Sequence, residues 1–137
     1  MQVNRWILAS VGAFVAITVL DMIAHGHLLM GLYHQTISVW RPEAEAHQKM
    51  CLMMVGTLLF SLVFAWIYTK GYESAKPGLA QGLRYGFLIG LLISISYVSV
   101  WYVVLPIPLC LALGWVTSSM VDCLAAGAVV GLIYRNR

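Results

Sequence analysis

The sequence predicts an all-α integral membrane protein: a bundle of four transmembrane helices, both termini cytoplasmic, with a short interfacial segment between spans 1 and 2. Three observations lead there. Of the 137 residues, 61% are hydrophobic and only 9% charged, whereas a soluble domain carries about a quarter charged residues. Four apolar stretches, roughly 5–25, 48–69, 79–104 and 108–134, reach the ~20 residues that a hydrocarbon core demands. The basic residues divide unequally between the two sides that such a path defines. Arg5, Lys70, Lys76, Arg84, Arg135 and Arg137 share the side of the termini, against Arg41 and Lys49 on the other, and basic loops stay in the cytoplasm. Residues 1–137 thus form a single transmembrane domain in a lipid bilayer. The net charge of +3 is scattered among helix ends, which sets orientation and excludes a nucleic-acid surface.

Span 1 runs through "RWILASVGAFVAITVL", with Trp6 where an interfacial aromatic belongs. Its flank holds only Arg5, and no small-x-small cleavage site precedes Asp21 and His25, so it reads as a retained helix and not a secretory signal. Residues 27–40 are too polar to span and too apolar to float, which predicts a re-entrant or surface-lying piece on the outer face. "RPEAEAHQKM" opens the next helix, with Pro42 in the first turn and Glu43 and Glu45 near the positive end of the dipole. If it continues unbroken through span 2, its ~42 Å exceeds the ~30 Å hydrocarbon core and its first turns stand outside. "TKGYESAKPG" is a short cytoplasmic loop broken by Gly71 and Pro77-Gly78. In "LPIP", Pro106 ends span 3 and Pro108 opens span 4, a close antiparallel hairpin.

Small residues recur every four positions on two helices. Span 3 has Gly82, Gly86 and Gly90, two overlapping GxxxG units, and span 4 has Cys123, Gly127 and Gly131. Such spacing clears one stripe of side chains so that another backbone can approach closely. Either the two stripes meet within one subunit, or at least one faces another chain. Cys51, Cys110 and Cys123 form no CxxC, which excludes dithiol redox chemistry of the paired kind and leaves them as small apolar residues. A Cys51–Cys110 bridge near the outer helix ends stays geometrically open.

The acids invite chemistry. Asp122 falls near the middle of span 4, where an ionised carboxylate costs roughly 2.5–3.5 kcal/mol, so it is expected to be neutral, paired or turned to a polar cavity. Arg84 on span 3 is the nearby cation. A structural Arg84–Asp122 pair and a proton- or cation-binding carboxylate are the two readings. Asp21 and His25, four residues apart at the outer end of span 1, share a face. Glu43, His47 and Cys51 recur at the same interval on the outer end of helix 2, which runs antiparallel to helix 1. Together these five supply imidazole, thiolate and carboxylate ligands suited to zinc, copper or iron. The bland alternative is a local hydrogen bond for each histidine. Haem is disfavoured, because all four histidines fall outside the spans.

The segments "WRPEAE", "YTKGYE", "GLRYGFLIGLL" and "LPIPLCLALGW" resemble a loose group of uncharacterised four-span bacterial inner-membrane proteins. The resemblance implies a multi-pass protein of the bacterial inner membrane with a four-helix fold, and no activity. The expected function is a non-catalytic accessory subunit packing against larger membrane proteins or its own copies, since no catalytic motif is present. The alternatives are a small proton- or cation-coupled transporter using Asp122, or an outer-face metal-binding protein.

Overall fold

The computed structural model describes residues 2–134. Five α-helices follow one another: α1 (Val3–Ile23), α2 (Met30–Gln35), α3 (Glu43–Gly71), α4 (Gly78–Val104) and α5 (Leu109–Ile133). A π-helical turn, Ala24–Leu28, continues α1 toward α2, and a 3-10 turn, Ile37–Val39, follows α2. No strand occurs among the described residues. Four helices are long and apolar enough to cross a membrane: α1 with its π-turn (Val3–Leu28), α3, α4 and α5. The backbone amide of Gln2 donates to Tyr134 Oη at 3.4 Å, so the first and last helices begin and end at one end of the bundle. This is the terminal end. The distal end carries residues 24–42 and the Leu105–Pro108 link. Arg135 and Arg137, counted in the basic tally, lie outside the described residues.

Proline sets three of the boundaries. Pro42, Pro77 and Pro108 each sit in an extended conformation immediately before α3, α4 and α5. Proline disfavours helical geometry in the residue preceding it, so none of these helices extends back past its proline. α3 is a single helix of 29 residues, ~43 Å at 1.5 Å per residue. The first span is longer than expected: it does not end at 25, because the π-turn carries it to Leu28.

Small residues share the interior with Phe64, Leu111 and Val130, while many large apolar side chains face outward. The interior holds Ala9, Ser10, Ala13, Ser61, Ala65, Ser94 and Ala126, while Leu28, Leu52 and Val103 are among the most exposed. Lipid tails are as apolar as leucine, so helix association there relies on close packing of small residues. The buried hydroxyls are satisfied locally. Ser10 donates to Trp6 O at 2.8 Å, Ser61 to Thr57 O at 2.8 Å and Ser94 to Gly90 O at 2.5 Å, the back-bonding that lets serine sit inside a helix without an orphan donor.

The most extensive contact joins α4 to α5, and α1 packs on both α5 and α3. A Cβ placed on Gly82 would collide with the Gly127 carbonyl, one on Gly127 with the Gly82 carbonyl, one on Gly86 with the Cys123 carbonyl and one on Gly131 with the Gly78 carbonyl. The α-hydrogens in those positions point at carbonyl oxygens, weak donors worth about 0.5–1 kcal/mol each. Both stripes thus meet inside one chain. α3 and α4 are instead held apart by rings: Phe64, Tyr68, Tyr72, Tyr85 and Tyr134 form a cluster with centroids 4.6–6.4 Å apart. Tyr85 Oη donates to Phe64 O at 2.7 Å, and Trp6 Nε1 ties α1 to Leu62 O at 3.1 Å. Gln81 closes the α3–α4 loop, its Nε2 donating to Glu73 O and Lys76 O at 2.9 Å while its Oε1 accepts from Glu73 N.

Candidate functional site

The distal halves of α1 and α5 assemble the polar site. The π-turn holds the sequence AHGHL. A π-turn inserts one residue per turn into an α-helix and so rotates the chain beyond it. His25 Nε2 still lies 3.7 Å from Asp21 Oδ1, and beyond the turn Leu29 and Tyr33 lie back over α5. Leu29, Leu32, Tyr33, Val39 and Trp40 pack there against Leu111, Ala112, Trp115 and Val116. Three rings make a corner, with Trp40 edge-on to Tyr33 at 5.3 Å and to Trp115 at 5.9 Å. Trp40 Nε1 donates to Thr36 Oγ1 at 2.9 Å.

A chain of polar groups runs from that corner into the bundle. Trp115 Nε1 donates to Tyr33 Oη at 2.7 Å, and Tyr33 Oη lies 2.6 Å from His25 Nδ1. Indole has only a donor, so the phenol oxygen accepts from it. His25 Nε2 faces Asp21 Oδ1 at 3.7 Å. Burial holds the Tyr33 phenol above its ordinary value of 10.0, the Trp115 hydrogen bond opposes this, and the charge of Asp21 adds to it.

Asp21 in turn faces Asp122 across the α1–α5 contact, near enough for each carboxyl group to feel the other's charge. Asp122 is buried, 8% exposed. Ser118 Oγ donates to its Oδ2 at 3.4 Å, while Oδ1 has no hydrogen-bond partner among the described residues. Two carboxylates have no hydrogen between them. A single proton supplies the missing donor and removes the like-charge repulsion, whereas a second negative charge there is costly. Thr18, one turn below Asp21, also has an unpartnered buried hydroxyl oxygen.

Asp122 borders a second feature, a cavity of about 300 Å³ between α1 and α5. Its walls include Leu20, Ile23 and Leu28 from the first span and Val121 from α5; Asp21, His25 and Tyr33 do not line it. The carboxyl group of Asp122 is therefore common to a polar chain and an apolar chamber.

The remaining candidates lie elsewhere. Arg84 does not pair with Asp122: its Nη2 lies 3.9 Å from Glu73 Oε1, and its side chain is 66% exposed. At 100° per residue it points roughly opposite to Gly82 and Gly86, which face α5, so its reach is toward the loop. Glu43 and His47 form their own exposed pair at 3.6 Å. Cys51, also exposed, is a free thiol, as are Cys110 and the buried Cys123. Among the described residues no three of His, Cys, Asp and Glu gather as a metal site would require. The five expected ligands are not brought together, because the segment after the π-turn folds onto α5 and leaves the first turns of α3 exposed. His25 and His27 are inside the first span and not beyond it, with His27 exposed; His34, also exposed, lies outside the spans.

Tyr33, Trp115 and Ser118 are not among the sequence candidates. Ser118 stands four residues before Asp122 on the same face, a signal available in the sequence. Tyr33 and Trp115 are 82 positions apart, and nothing local connects them. Comparison with protein-family models, curated proteins and solved structures finds no match.

Proposed function

We propose that this chain is a small multi-pass carrier that exchanges a proton for a cation at Asp122. The observation supporting it is the Asp21–Asp122 carboxyl pair at membrane depth, joined to the distal end by His25, Tyr33 and Trp115. An intramembrane acid is costly to keep unless it has a task. Here the acid has a neighbour that makes its charge depend on one proton, and a histidine beside that neighbour to relay it. In this reading a proton arriving by way of Tyr33 and His25 passes to the pair, and Asp122 is neutral when the cavity is empty. The bundle sits with its terminal end in the cytoplasm, a reading supported by Arg5, Lys70, Lys76 and Arg84 at that end against Arg41 and Lys49 at the other. The resemblance of four segments to bacterial inner-membrane proteins supports that membrane as its location.

The test is proton uptake by proteoliposomes, read with an internal pH dye, together with the infrared carboxyl band of the purified protein. Asp122→Asn is expected to abolish the titrating carboxyl band of the pair and to lower uptake at least tenfold. Uptake and band unchanged in that variant would overturn the proposal.

A second reading, an accessory subunit or a homo-oligomer, is favoured by Asp21. Its side chain is 41% exposed within a single chain, and a neighbouring chain seated there would cover it. Native mass spectrometry from the source membrane checks this: foreign subunits or further copies in fixed ratio support it, and a lone chain overturns it.

A further inference from the structure

We infer that the cavity between α1 and α5 binds a lipophilic organic cation, an amine on a compact apolar body, with its ammonium group against Asp122. The inference rests on the reading of Asp122 as the exchanging carboxylate and names what is exchanged.

The walls decide the chemistry. At about 300 Å³ the chamber equals roughly ten water molecules at ~30 Å³ each, the scale of a small organic molecule. Among its lining residues Asp122 is the sole ionisable group, and Leu20, Ile23 and Val121 present only carbon. Thr117 is committed to its own helix, donating to Leu113 O at 2.9 Å, and Ser118 to Asp122. A hard metal ion needs six or more oxygen ligands, and these walls cannot supply them. An anion meets a carboxylate. A neutral apolar molecule fills the space but leaves that carboxylate buried and unpaired. An alkylammonium ion satisfies both halves: its N–H forms a charge-assisted hydrogen bond with Asp122, and its hydrocarbon part takes the place of lipid against the leucines.

Leu29 and Gly114 meet at one wall of the cavity. A Cβ on Gly114 would come within 2.6 Å of Leu29 Cδ2, so the glycine is what lets Leu29 lie across α5. Leu29 joins the π-turn to α2. Proton and amine then compete for one carboxylate from different directions, the proton through His25 and Asp21, the amine past Leu29. Binding of the ammonium displaces the proton of Asp122, so the charge in the membrane stays constant through the exchange.

The experiment is calorimetric titration of the full chain in lipid nanodiscs with 1-adamantylamine, with 1-adamantanol as the neutral control and empty nanodiscs as the partition control. Saturable amine binding is expected, weakened at least tenfold in Asp122→Asn, with no saturable binding of the alcohol. Val121→Trp fills the chamber and keeps the acid; Val121 is 45% exposed, so the helix tolerates the change. It should lose at least tenfold in amine affinity while the infrared titration of Asp122 persists. Gly114→Leu, which crowds the wall at Leu29, serves as the second variant with the same expectation. Binding no greater than in empty nanodiscs, equal binding of the alcohol, or unchanged affinity in both cavity variants overturns the inference. If Asp122 still titrates in that case, the proton-exchange reading stands without it; if Asp122 does not titrate, the underlying reading falls as well.

Discussion

α5 is one helix with two different seams. Toward the terminal end it presents Gly127 and Gly131 to α4, and the two backbones touch without side chains between them. Toward the distal end it presents Ser118, Val121 and Asp122 to α1, and the helices part around about 300 Å³ of space. The first seam excludes everything, water included. The second keeps an acid, a serine hydroxyl and room for a guest. The difference teaches that close packing and chemistry are placed in separate halves of this bundle: a ladder of glycines fixes α4 on α5 so firmly that the other face of α5 can remain loosely filled. Loose regions in proteins are tolerated where another contact supplies the stability.

The most damaging way to test that division is to widen the tight seam. Gly86→Leu drives a side chain into the Cys123 carbonyl and toward Leu124 Cα. Backbone cannot step aside as a flexible side chain can, so the cost should reach about 3 kcal/mol or more, the upper range for overpacking. Val121→Ala in the loose seam should cost under about 1 kcal/mol, since a half-exposed side chain beside a cavity loses few contacts. Reversible unfolding in mixed micelles measures both. Equal costs would erase the distinction between the seams.

Legibility in the sequence follows the same division. The four apolar helices can be read directly, because span length and the scarcity of charge are local properties, and the prolines mark the joints. The four-residue stripes on α4 and α5 are visible for the same reason. The parallel stripes Ala9/Ala13 on α1 and Ser61/Ala65 on α3 carry the same signal more faintly, with alanine and serine in place of glycine. The distal site is only half legible. Asp21, His25 and Asp122 stand out as polar groups in apolar runs, but their partners depend on rotation and depth. The π-turn cannot be read from "AHGHL", and without it the first span ends too early and His25 falls outside. Arg84 matches Asp122 by depth alone, while its face turns it toward Glu73.

The loose seam should answer to Tyr33, with an intermediate effect. Tyr33→Phe leaves the Trp115 indole without an acceptor and His25 Nδ1 without its partner, an expected loss of about 1–2 kcal/mol and slower proton uptake at unchanged amine affinity. The pH dependence has a definite sign. Below pH 10 both folded and unfolded chains keep the phenol proton. As pH rises past the ordinary value of 10.0, the unfolded chain releases it first, because the folded value is higher, so stability falls until the folded group also titrates. Wild type should therefore lose more stability between pH 8 and pH 11 than Tyr33→Phe does. Parallel losses in the two proteins would mean that the aromatic corner does not hold the chain.

The smallest effect sharpens the comparison by changing an acid outside both seams. Glu73, in the loop between α3 and α4, lies 2.6 Å from Lys76 Nζ and 3.9 Å from Arg84. The Lys76 hydrogen bond, opposed by desolvation and helped by the charges of Lys76 and Arg84, holds its carboxyl group below the ordinary value of 4.5. A depressed folded value stabilises above the unfolded one and is lost as pH falls through the folded one. Glu73→Gln should thus be slightly less stable than wild type at pH 7, with the difference shrinking as pH falls through the folded value, and 1 M salt should shrink it at pH 7, since exposed pairs are screened. A carboxylate with two cations in water is a minor structural device, replaceable by an amide at little cost. Asp122 has another acid for company, a donor that reaches one oxygen, and a chamber beside it. If Glu73→Gln left uptake intact while Asp122→Asn lowered it at least tenfold, a loop carboxylate and a mid-helix carboxylate of one bundle would be separated by their surroundings alone.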